Sequence, residues 1–219
     1  LTVVCGIILF TAVGKDPWAS LGVFFLEPIK DLRGWTEVGV KVAPLLLVSV
    51  GLAICFRANY FNIGAEGQLV IGAIAAGSVV LYFDHGEGGG ALFIALALIA
   101  GAVGGAIWGG IVAWLRDRYN ANEILVSLML VYVAQLLLSY LVHGVLMDPD
   151  GFGFPQSRLF SDGFLLPMVI PGTRLHLGIV LALLAALLGW VFMARSFSGF
   201  KLQVGGMAPR AARYAGFSA

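Results

Sequence analysis

Five apolar runs of about bilayer length, residues 38–56, 64–83, 91–115, 124–147 and 175–194, follow one another with little polar chain between them. A hydrocarbon core needs on the order of 20 consecutive apolar residues to be crossed by a helix, and these runs meet that length. The fold class expected is all-α, a polytopic transmembrane helical bundle. Hydrophobic residues make up 60% of the chain and charged residues 11%, against roughly 45–50% and 25% in soluble domains. Lipid is the solvent such a chain requires.

A further apolar run, residues 1–13, is too short to cross a bilayer, and no initiator Met or charged leader precedes it. It is read as the remainder of a truncated span, so six spans are expected. The other end stops in a polar stretch just after residues 211–216. The expectation is one membrane domain over residues 1–219, a fragment truncated at both ends.

A net charge of +1 leaves neither a basic patch for nucleic acid nor an acidic tail. Lys and Arg fall mostly between runs and report topology. Alternation puts Arg57, Arg116, Arg118, Arg195, Lys201, Arg210 and Arg213 on one side, and Lys15, Lys30, Arg33, Lys41, Arg158 and Arg174 on the other. The second group lies in two long segments, residues 14–40 and 148–174, which translocate with little regard to charge. Residues 116–122 and 195–219 are therefore expected in the cytoplasm, with the N-terminal end on the same side. Segment 148–174, with four prolines at 149, 155, 167 and 171, predicts turns and a short surface helix, not a strand pair.

Cys5 and Cys55 lie inside apolar runs and read as small buried hydrophobes, without a redox or metal role. His85, His143 and His176 are too scattered to suggest a metal site. No H-E-x-x-H, G-x-S-x-G or Walker-type motif occurs, so no catalytic residue is assigned.

Within the run at residues 91–115, Gly101, Gly105 and Gly109 recur every four residues. With no Cβ on that stripe two helices can approach closely, and the spacing predicts helix packing. A second feature is the polar, glycine-rich stretch between two apolar runs at residues 57–68. If Gly64 onward lies at membrane depth, Glu66 is a costly carboxylate that must pair or face water. One reading is a broken segment lining a polar route, with Asn62, Glu66 and Gln68 as candidates. The other is a helix start with Asn62 as cap and Glu66 in the first turn. At residues 119–124, Asn120 and Glu123 have the spacing of a capping box, while Asn122 and Glu123 are also channel-lining candidates.

The tail carries a third feature. Pro209 suits a first helical position, Ala211, Ala212 and Ala215 favour helix, and Gly216 suits a stop. Small residues leave such a helix thin enough to enter a groove, with Arg210, Arg213 and Tyr214 at the rim. A helix lying on lipid headgroups is the other reading.

Phe56-Arg57-Ala58 followed by Asn62-Ile63-Gly64-Ala65-Glu66-Gly67-Gln68-Leu69 resembles a signature of the permease subunits of bacterial ABC importers for nucleosides and simple sugars. Residues 121–130, Ala-Asn-Glu-Ile-Leu-Val-Ser-Leu-Met-Leu, resemble that family's second signature. Ala211-Ala212-Arg213-Tyr214-Ala215-Gly216 resembles its cytoplasmic coupling segment, which docks on the ATPase. One departure is that residues 204–209 are one residue longer than the commoner Gly-x-Asn-Pro version, with Met207 and Ala208 where Asn is usual.

The resemblance implies one permease domain in the bacterial plasma (inner) membrane, multi-pass, with a short cytoplasmic coupling helix at residues 209–216. It implies a second permease subunit, a cytoplasmic ABC ATPase that consumes ATP, an extracytoplasmic substrate-binding protein and a small-molecule substrate, a nucleoside or simple sugar. No cofactor is expected in this chain, and no nucleic acid. ATP would bias inward- against outward-facing packings, so the permease needs no catalytic residue. The competing class is a channel or secondary transporter working without an ATPase, with Glu66 as an ion or proton site.

Overall fold

The computed structural model describes residues 1–85 and 88–217. Among these, helices α1 (Thr2–Ala12), α2 (Pro17–Lys30), α3 (Leu32–Arg57), α4 (Ala65–Phe83), α5 (Ala91–Tyr119), α6 (Glu123–Val142), α7 (Gly178–Arg195), α8 (Phe197–Met207) and α9 (Pro209–Tyr214) follow in order. A 3-10 turn at Asp162–Phe164 lies in the segment expected to hold a short helix, and Met168 and His176 form an isolated antiparallel bridge. The chain is an all-α, multi-pass membrane protein. Among the described residues five helices, α3 to α7, are long and apolar enough to span a bilayer.

The expected sixth span is not among them. The run at residues 1–13 becomes α1, of 11 residues, which at 1.5 Å per residue covers about half a bilayer. Gly14 turns the chain at φ 73°, and Asp16 then caps α2 by accepting from the backbone N–H of Trp18 and Ala19. The chain read as part of a long outer segment is thus helical over Pro17–Lys30. Helix ends also outrun the apolar runs: α3 begins at Leu32, and α5 continues through Arg116 and Arg118 to Tyr119. Hydropathy marks what lipid can touch, whereas a helix persists until its backbone bonds are interrupted. At the end of α6 the reverse holds, because the helix stops at Val142.

The chain divides into two compact units, Leu1–Leu47 with Pro167–Ala186, and Val48–Leu166 with Leu187–Ala219. In the first, Gly6 of α1 faces Leu21 of α2, Gly39 of α3 faces Leu175, and Arg174 pairs with Glu37 at 3.7 Å. Cys5 lies exposed on α1, contrary to its reading as a buried hydrophobe.

The second unit holds the close packing. A Cβ on Gly72 of α4 would stand 2.9 Å from the Gly101 carbonyl oxygen, and one on Gly105 would stand 3.1 Å from that of Gln68. Backbone thus meets backbone along the α4–α5 seam, which supplies dispersion contacts that lipid alone would not favour. Antiparallel pairing follows from the register, 72 against 101 and 68 against 105. Val80, Ala97 and Phe164 form a buried cluster at the far end of this hairpin, with Phe93 5.6 Å from Phe164. Asp84, 2% exposed, holds the segment that brings Phe164 there. Its carboxylate accepts from the Ser161 hydroxyl at 2.6 Å and the Ser161 N–H at 2.8 Å, while Arg158 donates to the Asp84 carbonyl.

Candidate functional site

Between α3 and α4 the chain from Asn59 to Gly64 is not helical. Its backbone groups still need partners. The buried Asn62 side chain accepts from the Gly64 N–H at 2.9 Å, and Ser127 Oγ accepts from the Ile63 N–H at 3.3 Å while donating to the Ile124 carbonyl. Gly64 lies against Ser127, and Gly67 against Leu130 and Val131. Both pairs ascend together, so α4 and α6 run parallel. Ser127 is four residues into α6, so α4 starts roughly 8 Å further along the bundle than α6 does.

Because α4 starts late, space remains beneath it. α5 runs on past the level of Ala65 to Tyr119, and a cavity of about 840 Å³ opens there. Its walls come from the end of α3 (Ile54, Cys55), the irregular chain (Ala58, Tyr60, Asn62), Gln68 of α4, α5 from Gly105 to Arg116, and α8 from Ser198 to Gly206. The lining is mostly apolar, with polar groups from Tyr60, Asn62, Gln68, Arg116, Ser198 and Lys201.

The candidates separate on this geometry. Asn62 and Gln68 line the cavity together with Gly105 and Gly109, and the Gln68 carboxamide lies where a Cβ on Gly109 would be. Gly109 therefore receives a side chain, Gly105 receives backbone, and Gly101 receives backbone together with the Ala76 methyl. Glu123 is tied to the cavity at one remove: it pairs with Arg116 at 3.1 Å, and the Arg116 guanidinium lies 4.9 Å from the centre of the Tyr60 ring. Burial raises the Tyr60 phenol above its ordinary range, with Arg116 pulling the other way. Glu66 points elsewhere, accepting from Gln135 Nε2 of α6 at 2.9 Å.

Asn122 is a cap. Its Oδ1 accepts from the N–H of Ile124 at 3.0 Å and of Leu125 at 3.3 Å. This corrects the capping box expected of Asn120, which instead ends α5 in the left-handed region at φ 52°. Asn and Asp tolerate that conformation better than other side chains, so Asn120 serves the turn and Asn122 the next helix. Asn62 does not cap α4 directly either, since Gly64 stands at that position.

The tail forms α8 and then α9. Ser196 caps α8 by accepting from the Gly199 N–H, and Gln203 Nε2 donates to the Met193 carbonyl at 2.9 Å. Pro209 opens α9 and Gly216, at φ 76°, follows its end. Phe217 lies edge-on to Phe197 and Phe200, at 5.9 and 6.4 Å, with Lys201 over Phe197 and Phe217. Ala212 is 4% exposed, whereas Arg210, Ala211, Arg213, Tyr214 and Ala215 face outward. The small residues do not all share the free face.

Sequence reasoning missed Tyr60, Arg116, Gln135, Lys201 and Ser127 as site residues. Tyr60 sits inside the polar stretch and Arg116 is the first charge after the glycine-rich run, so both carried a signal. Gln135 is a polar residue inside an apolar run, which was the sign available for it. Among the described residues no group of three His, Cys, Asp or Glu is placed to hold a metal ion.

Residues 36–219 match the family described as the permease component of branched-chain amino acid transport systems. The chain is 37% identical over 223 residues to the glucose ABC transporter permease protein TsgB13 of Haloferax volcanii, covering 97% of this chain and 58% of that one. It is 36% identical over 179 residues to the guanosine ABC transporter permease protein NupP of Bacillus subtilis, covering 81% and 51%. A nucleoside ABC transporter permease protein of Lactococcus lactis, NupB, is 26% identical over 224 residues, covering 98% and 60%. The chain thus spans between about half and three fifths of the length of these relatives. No solved structure matches it significantly. The family match takes in all five spanning helices from Thr36 onward and the tail, and by it the chain belongs to the permease components of the branched-chain amino acid transport family, its named relatives being ABC transporter permeases.

Proposed function

We propose that the chain is a permease subunit of an ABC importer, carrying a nucleoside or simple sugar across the plasma (inner) membrane. The observation that carries this reading is that α8 of the tail and the irregular chain at Tyr60–Asn62 are walls of one cavity. A tail that docks on an ATPase would then already be part of the cavity wall. Asn62 and Gln68 offer donors and acceptors to a hydroxylated solute, and the apolar walls suit the faces of a sugar or base. The relatives named for glucose, guanosine and nucleosides support that substrate class.

In this reading the Arg116 end of α5 and the tail are cytoplasmic, and α9 presents Ala211, Tyr214 and Ala215 to a cleft of the ABC ATPase. ATP is bound and hydrolysed by that partner. A second permease subunit completes the path, and a substrate-binding protein delivers solute on the opposite side.

The test is reconstitution of the full-length subunit with its paired permease and ATPase in proteoliposomes. Uptake of labelled nucleoside or glucose should require ATP and the ATPase. Uptake that proceeds equally without the ATPase would overturn the reading in favour of a channel or secondary transporter.

A further inference from the structure

We propose that Gly206 is a positioning residue for coupling, the point at which movement of the tail is delivered to the cavity-lining chain at residues 58–62. This rests on the reading of α9 as the ATPase-docking element. A Cβ on Gly206 would stand 2.7 Å from the Ala58 carbonyl oxygen and 2.8 Å from the Ala58 Cα. The atoms met are backbone, so no side chain can swing away to make room. Gly205, its neighbour, has nothing within 4 Å. Of two adjacent glycines one is a contact and the other is not.

The tail moves as a unit because Phe217 ties α9 to Phe197 and Phe200 of α8. At its beginning α8 abuts the end of α7, where a Cβ on Gly199 would meet the Met193 Cα at 3.0 Å and Gln203 holds the Met193 carbonyl. Its far end, beside α9, abuts Ala58. A displacement of α9 therefore tilts α8 about its start and presses on Ala58 through Gly206. From Ala58 the chain passes to Tyr60 and Asn62 in the cavity wall, and on to Gly64, held by Asn62. A methyl at Gly206 would push the two backbones apart by about 1 Å, toward the ordinary carbon–carbon separation. The joint would then transmit a different resting position and a blunted stroke.

The experiment compares Gly206→Ala and Gly206→Val with Gly51→Ala, a spanning-helix position with open space around it, and with Ala211→Trp on the outward face of α9. Each is assembled as the complete importer in proteoliposomes, and ATPase retention, ATP hydrolysis and solute uptake are measured. For Gly206→Ala, retention and hydrolysis should stay within about twofold of the unmodified importer while uptake per ATP falls at least about fivefold, the low end of a coupling energy. Gly206→Val should fall further, and Gly51→Ala should match the unmodified importer. Unchanged uptake per ATP in both Gly206 variants would overturn the proposal, and so would loss of the ATPase in Gly206→Ala, which would make Gly206 a matter of tail folding. If instead Ala211→Trp keeps the ATPase bound in full, the docking reading fails, whatever the Gly206 variants do.

Discussion

Glu66 and Gln135 meet across the parallel helices α4 and α6, the Gln135 carboxamide donating to Glu66 Oε1 at 2.9 Å although Glu66 is in the first turn of its helix and Gln135 well past the middle of its own. Both residues are exposed, on a face that also carries Leu69 and Leu136. A carboxylate on such a face costs roughly 3 kcal/mol against lipid, so this face is expected to meet protein or water.

Replacing Glu66 with Gln keeps an oxygen for Gln135 and removes the charge. Uptake should fall while membrane insertion and subunit assembly remain largely intact, read by transport and by co-purification. Full uptake in that variant would leave Glu66 with a packing role alone.

The α4–α5 seam gives a stability prediction. Gly72→Ala places a methyl 2.9 Å from a backbone oxygen, and overpacking of this kind costs about 1–3 kcal/mol. In detergent the variant should unfold at a clearly lower temperature, while Gly51→Ala, where a methyl meets open space, should not.

The Asp84 anchor can be tested by proteolysis. Asp84→Ala removes the acceptor for both Ser161 donors, and hydrogen bonds to a buried charge are worth about 1.5–3 kcal/mol. Cleavage within segment 148–166 should become faster than in the unmodified chain. Ser161→Ala, which keeps the backbone N–H bond, should show a smaller increase.

On the tail, Ala211→Trp and Ala215→Trp should each reduce ATPase co-purification and ATP-driven uptake, because both positions face outward. Ala212→Trp is a different experiment, since Ala212 is 4% exposed and a Trp there would disrupt the tail itself. Arg118→Ala, beyond the proposed docking helix, should have a smaller effect than either outward substitution. Retention of full ATPase binding by both outward variants would remove the docking assignment.

Much of the bundle was legible because hydropathy reports the lipid-facing length of a helix directly, and α4, α5 and α6 begin where the apolar runs put them although α5 and α6 end elsewhere. The amphipathic α2 was not, since its apolar residues are interrupted before they reach spanning length. Asn120 and Asn122 both suit a cap by type, and a left-handed turn at the first decides between them. The direction of Ala212 was hidden for a simpler reason: alanine carries no preference for either face. Of the cavity only the polar segment with Asn62 and Gln68 could be read, because the other walls come from segments as far apart as Ile54 and Gly206. What the sequence did offer was the excess of polar residues at 57–68, which is where the chain leaves helical form.

The late start of α4 also has an electrical meaning. Aligned peptide dipoles leave about half a positive elementary charge at a helix N-terminus, and in α4 that end lies against Ser127 of α6, above the cavity. Lys201 adds the same sign in the cavity wall, whereas Arg116 is offset by Glu123 at 3.1 Å and the Glu66 carboxylate is directed toward α6. A cation entering from the tail side would meet the part of this field that Glu66 and Glu123 leave, whereas a neutral solute would not feel it. In the proposed importer, passage of a neutral solute would then leave the membrane potential intact.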